Sequence, residues 1–176
     1  MTSIALAAVS LALMEPFVAV VHRRTMHGWA WAWHRSHHRR PSGPFEANDL
    51  FPLVFAVATV AAMAAGTYVD GLSVLVAVGT GVTAYGALYL VVHDLYIHAR
   101  LGRLPGADTR YIRWVAEAHA VHHATAREPF GFLVPLVPHP AAGLDGDTDR
   151  PRASVLAGRG EELAIPRPRR TGESDA

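Results

Sequence analysis

Three apolar runs, each long enough to cross a lipid bilayer, constrain this chain of 176 residues more than any other feature. They are residues 2–21, which hold a single charged group, Glu15, and residues 50–69 and 72–92, which hold none. At about 1.5 Å of rise per residue, a run of about 20 residues forms a helix of about 30 Å, the thickness of the hydrocarbon core. Lipid offers no hydrogen bonds to an open backbone, so runs of this kind fold as helices. The expected fold is all-α and integral to a membrane, with about three transmembrane helices. The first run lacks the basic leader and the small-residue cleavage site of a signal peptide, and reads as a retained span. Only Asp70 and Gly71 separate the second and third runs, which predicts an antiparallel helical hairpin with a tight turn. Gly79, Gly81 and Gly86 are expected to let the third span approach its neighbours closely.

Topology follows by counting. One span carries the chain across, and two more return it to the same side. The arginines agree with this. Arg23, Arg24, Arg35, Arg39 and Arg40 follow the first span, and Arg100, Arg103, Arg110 and Arg113 follow the third, whereas the N-terminus and the Asp70 turn have none. The positive-inside rule places the arginine-bearing face in the cytoplasm, consistent with a bacterial inner membrane. Residues 111–127 have a helical apolar period but are too polar to span, and are expected at the interface. Residues 130–138 are apolar but too short to cross. From His139 onward the chain is rich in Pro, Gly, Arg and Asp without periodicity, which reads as a disordered tail behind a membrane domain of residues 1–138.

Histidine is the compositional anomaly. Of eleven, ten fall in two windows on the face just identified, and His139 stands alone in the tail. The first window contains His22 and His27, then His34, His37 and His38. The second contains His93 and His98, then His119, His122 and His123. Both therefore run as a pair at i, i+5 followed by a triplet at i, i+3, i+4. On a helix each triplet can aim its three imidazoles at one place. The pairs diverge by about 140° on an ideal helix, so they need either a local distortion or two different targets. Scattered surface histidines would not repeat this order on one face. Ten imidazoles exceed the roughly six ligands that one ion takes, and two ions sharing them is the economical solution. The chain has no cysteine, which removes thiolate zinc sites, iron–sulfur clusters and cysteine nucleophiles together. Its net charge of +1 points to no nucleic-acid partner.

Imidazole donors alone suit zinc, copper, iron or nickel. The surrounding residues narrow the choice. His22-Arg-Arg-Thr-Met-His27-Gly28, Trp33-His-Arg-Ser-His-His38, Asn48-Asp-Leu50, Phe55-Ala-Val57, Tyr85-Gly86, His93-Asp94 and Phe130-Gly131-Phe132 together resemble the bacterial β-carotene 3-hydroxylases of the membrane fatty-acid hydroxylase superfamily. The resemblance covers roughly residues 10 to 135. It implies a non-haem centre of two iron ions and a monooxygenase that uses O2 and two electrons to hydroxylate carbon 3 of a β-ionone ring. Acting at both ends, it would take β-carotene through β-cryptoxanthin to zeaxanthin. With no flavin or nicotinamide motif in the chain, the electrons would come from an external donor such as a ferredoxin. One departure lies in the third box, where Leu95-Tyr96-Ile97 stands in place of the usual Gly-Leu-Val before His98, and the bulkier Tyr96 is expected to alter ring selectivity. A second is divergence after Phe132.

Four further residues are candidates for supporting roles. Glu15 lies seven residues before His22, on the same helix face and about 10 Å deeper. An ionisable group within a span is a functional candidate, and the alternative is a carboxyl bonded to backbone freed by Pro16. Asp94, four residues before His98, is expected to orient that imidazole. Asn48 and Asp49 are expected either to orient another ligand or to cap the second span. The rival readings are a ketolase or desaturase with the same metals, a zinc-dependent membrane hydrolase, and a metal transporter. A transporter would place its ligands inside the spans.

Overall fold

A computed structural model of the protein describes residues 2–39, 45–102, 104 and 109–135. Among these residues every regular element is helical. The first span is α1 (Thr2–Val21), and it continues into a π-helical stretch, His22–Trp29, that ends at a kink at Gly28. A short helix follows, α2 (Trp31–His34), then a 3-10 turn (Ala47–Asp49) that leads into α3 (Leu50–Tyr68). The third span is α4 (Val74–Tyr89), which also ends in a π-helical stretch, Leu90–Ile97. The last element is α5 (Arg110–Thr125), whose first turn is capped by the Thr109 hydroxyl accepting from the Ile112 N–H at 3.2 Å. Arg40, Arg103, His139, residues 136–138 and the expected tail lie outside the described residues.

Thr2–Trp29, Ala47–Tyr68 and Val74–Ile97 are each long and apolar enough to cross a membrane. Only 11%, 11% and 17% of their most apolar windows are buried. Val9, Leu13, Leu53, Val57 and Val60 all point outward. In water that surface would be a large aggregation liability, and in lipid it is the solvated face.

The bundle is held by α4, on which both α1 and α3 pack. Small residues set the spacing, as expected. A Cβ on Gly81 would collide with the Ala7 carbonyl oxygen, and one on Gly79 with the Met63 side chain. Gly86 departs from the expectation, because a Cβ there would meet open space. The hairpin turn between α3 and α4 uses Gly71 at φ +85°, a backbone conformation that costs glycine least. Beneath the histidine end, Val18, Tyr85, Val92, Val115, Phe132 and Leu133 form one buried cluster. It joins α1, α4 and α5 to the irregular segment after α5. Of residues 111–127, those as far as Thr125 form a helix as expected, and Val115, Ala118, His119 and His122 are its buried residues.

Candidate metal centre

The i, i+5 pairs decide how the centre is built. Both sit in π-helical stretches, where the backbone bonds i to i+5 and brings residues five apart alongside each other. The His98 N–H donates to the His93 carbonyl at 2.9 Å, and the Ala30 N–H to the Thr25 carbonyl at 3.0 Å. The rings of His22 and His27 are 5.0 Å apart, and those of His93 and His98 are 4.6 Å apart. Of the two alternatives open from the sequence, local distortion is the one adopted, and each pair shares a target.

The triplets behave differently from the expectation that each aims at one place. Adjacent residues on a helical turn diverge by about 100°, so His37 and His38 point apart, as do His122 and His123. His22, His27, His34, His38 and His122 bring ligand nitrogens within 4.8 Å of one another, and so, separately, do His37, His93, His98 and His119. Each triplet therefore sends one histidine across to the other window's pair. His123 falls between the clusters, with its ring 4.4 Å from His119, 4.7 Å from His37 and 4.5 Å from His38. Matching the windows in order pairs His22 with His93, His27 with His98, His34 with His119, His37 with His122 and His38 with His123. This correspondence maps the first cluster onto the second with His123 as its fifth member.

Hydrogen bonds fix which nitrogen faces inward. His22 Nδ1 donates to the Phe130 carbonyl (2.9 Å), His34 Nδ1 to Asn48 Oδ1 (2.7 Å), His93 Nδ1 to Asp94 Oδ1 (2.7 Å) and His122 Nδ1 to the Arg127 carbonyl (2.6 Å). Each of these acceptors can only accept, so the proton is on Nδ1 and Nε2 is a bare lone pair. His22 Nε2 and His34 Nε2 nevertheless lie 2.9 Å apart. Two lone pairs at that distance repel unless a cation lies between them. The Nε2 atoms of His37, His93 and His123 are buried with no hydrogen-bond partner, a costly state that a cation would relieve. Nitrogens held about 2.0–2.1 Å from one ion lie about 3–4 Å apart, and the contacting Nε2 pairs here lie 2.9–3.2 Å apart. The residues fit two ions.

Burial holds His34 down to about 4 despite its bond to Asn48, and holds His122 to about 4 as well. Burial, reinforced by the neighbouring imidazole of His93, depresses His37 further. These side chains are neutral at neutral pH, each with one N–H and one lone pair free to face an ion.

Two supporting placements differ from expectation. Asp94 orients His93, its chain neighbour, whereas the expected bond is to His98. Glu15 bonds a distant segment rather than backbone freed by Pro16. Its carboxyl accepts from the Tyr85 hydroxyl (2.6 Å) and from the Leu133 and Val134 N–H groups (3.1 and 2.8 Å). Asn48 orients His34, whereas Asp49 pairs with Arg100 at 2.6 Å and closes a capping box with Glu46. Glu46 was not foreseen. Its carboxyl lies 3.7 Å from His37 Nδ1 and 3.8 Å from Arg100, and burial pushes its pKa up. The signal was its position three residues before Asp49, the spacing of a reciprocal cap. Also unforeseen as a contact is Phe132, stacked on His22 with centroids 4.7 Å apart and planes within 9°, and edge-on to His93 at 5.0 Å.

The fatty acid hydroxylase family pattern matches residues 7–138. A β-carotene hydroxylase of Pseudescherichia vulneris is 43% identical over 128 residues, covering 70% of this chain and 72% of its own. A β-carotene hydroxylase of Pantoea ananas is 40% identical over 124 residues, 68% of this chain and 70% of its own. A chloroplastic β-carotene 3-hydroxylase of an Oncidium hybrid is 40% identical over 126 residues, 70% of this chain and 41% of its own. No solved structure matches the chain.

Proposed function

The chain belongs to the fatty acid hydroxylase family, and from that premise we propose that it is a carotenoid ring hydroxylase carrying two iron ions on its ten clustered histidines. The observation that carries this reading is a pair of abutting imidazole clusters built on the helical extensions of apolar spans. Relatives named as β-carotene hydroxylases supply the substrate class. His22, His27, His34, His38 and His122 hold one ion. His37, His93, His98, His119 and His123 hold the other.

Iron bound there supplies the activation of O2, so that one oxygen atom enters a ring C–H bond as hydroxyl and the other leaves as water, with two electrons from an external donor such as a ferredoxin and two protons. The protein contributes position and environment. Neutral imidazoles add no negative charge to the ions, and the Nδ1 bonds to Phe130, Asn48, Asp94 and Arg127 hold the ligands in one tautomer. Phe130 and Phe132 pack apolar rings against His22 and limit water there. A carotenoid is nearly as long as the hydrocarbon core is thick, about 30 Å, so a molecule lying across the bilayer delivers a terminal ring to the level where the spans end. Residues 1–138 form the hydroxylase domain.

The direct test is expression with aeration in a bacterium that makes β-carotene. Zeaxanthin should accumulate, with β-cryptoxanthin as intermediate. Unchanged β-carotene beside iron-loaded protein rejects the substrate, and conversion without O2 rejects the chemistry.

The same reading places the centre on the cytoplasmic face of the inner membrane, because the arginines follow the first and third spans. A reporter active only outside the cell should signal when fused near Asp70 and stay dark when fused after Arg127. A dark fusion at Asp70 would invert the orientation.

A further inference from the structure

Beyond the ligands, one buried acid has no part in holding metal yet is tied to the centre through a defined set of contacts. Glu15 lies within α1, 9% exposed, about 10 Å along the helix from His22. Three donors converge on its carboxyl. Oε1 accepts from the Val134 N–H at 2.8 Å, Oε2 accepts from the Tyr85 hydroxyl at 2.6 Å, and the Leu133 N–H reaches both oxygens at 3.1 and 3.2 Å. Residues 130–135 form no helix or strand, so their amides lack a ladder or helix to bond with. Amides in that position need an acceptor from elsewhere, and a side chain more than a hundred residues away provides it.

The segment is shaped to lie on this carboxyl. A Cβ on Gly131 would stand 2.6 Å from Glu15 Oε1 and 2.9 Å from the Val134 carbonyl oxygen, so a larger residue there would push the two apart. The other side of the same short segment serves the metal centre. The Phe130 carbonyl accepts from His22 Nδ1 at 2.9 Å, and the Phe132 ring lies flat on the His22 imidazole. We propose that Glu15 is a positioning residue that clamps residues 130–134 over the centre and, through Phe130 and Phe132, fixes the imidazole of His22. The inference rests on the two-ion reading of the centre. A carboxyl is required because a Gln side chain has one acceptor oxygen for three donors, and its NH2 would face one of them. The effect falls mainly on the first cluster, because Phe132 lies flat on His22 but only edge-on to His93. Phe130 bonds a ligand of the first cluster, and the second cluster has its own acceptor in Asp94.

The test compares wild type, Glu15→Gln and Tyr85→Phe in the full chain, purified in lipid nanodiscs. Amide hydrogen exchange is followed over residues 130–135, and Mössbauer spectra are recorded after loading with 57Fe. In E15Q, exchange at Leu133 and Val134 should accelerate about tenfold or more, and the signal of one of the two irons should change more than that of the other. Tyr85→Phe removes one donor and leaves both amides bonded, so it should move both readouts the same way by less. Should E15Q fail to fold, Y85F carries the test alone. Unaltered exchange overturns the clamp, and so does faster exchange with both iron signals unaltered. The exchange measurement needs neither iron nor carotenoid. Wild-type protein that behaves as described but yields no hydroxylated carotenoid therefore rejects the substrate reading and leaves the clamp standing.

Discussion

The two histidine clusters share one order of residues but rest on different supports. In the first, His22, His34 and His122 give their outer N–H groups to the Phe130 carbonyl, the Asn48 amide oxygen and the Arg127 carbonyl, all neutral acceptors. In the second, His93 donates to the Asp94 carboxyl at 2.7 Å, and His37 faces the Glu46 carboxyl at 3.7 Å. Arg100 lies against Glu46 and Asp49 and balances that side. A carboxylate acceptor draws the imidazole proton outward and makes the ring a stronger donor. Repetition of a ligand pattern along a chain therefore does not make two equivalent sites, since the partners behind the ligands differ.

The largest effects should come from removing a ligand outright, and they test whether both clusters matter. His22→Ala and His93→Ala each take a nearly inaccessible imidazole from an i, i+5 pair. Each should lower hydroxylated product per chain by more than the roughly 10–100-fold typical of losing a partner behind a ligand. Full activity in either variant would break the comparison, because only one cluster would then be at work.

A smaller effect sharpens it. Asp94→Asn keeps an acceptor for His93 but removes the charge, and Asn48→Ala removes a neutral acceptor from His34. Asp94→Asn should lower turnover toward the upper part of the range of about 10–100-fold, and Asn48→Ala toward the lower part. Steady-state rates at equal iron content decide this. If Asn48→Ala cost more than Asp94→Asn, the charged support would not distinguish the clusters.

Much of this architecture can be read from residue order, and the parts that cannot share a physical cause. The spans follow from runs of apolar residues, and the Asp70–Gly71 turn from their separation. α5 follows from its period. The ten histidines stand out by spacing and by the face they share. What could not be chosen was the backbone around them. An i, i+5 pair fits either an ordinary helix serving two targets or a π-helical one serving one, and nothing in His22-Arg-Arg-Thr-Met-His27 selects between them. Nor does residue order show that Asp94 bonds His93 rather than His98. The split of each triplet depends on what stands beside α2 and α5, which is tertiary information. Glu15 was visible as an anomaly within a span. Its partners Leu133 and Val134 lie 118 and 119 residues away, too far for any local pattern to reveal.

The central claim is that one chain holds two ions, one in each cluster. It is tested most directly by the iron content of the purified, fully loaded protein, measured for wild type and for a variant with both His93 and His98 changed to alanine. The account predicts two irons per wild-type chain and one in the variant, with the remaining ion in the cluster of His22, His27, His34, His38 and His122. One iron per wild-type chain, or a variant that still holds two, would contradict it.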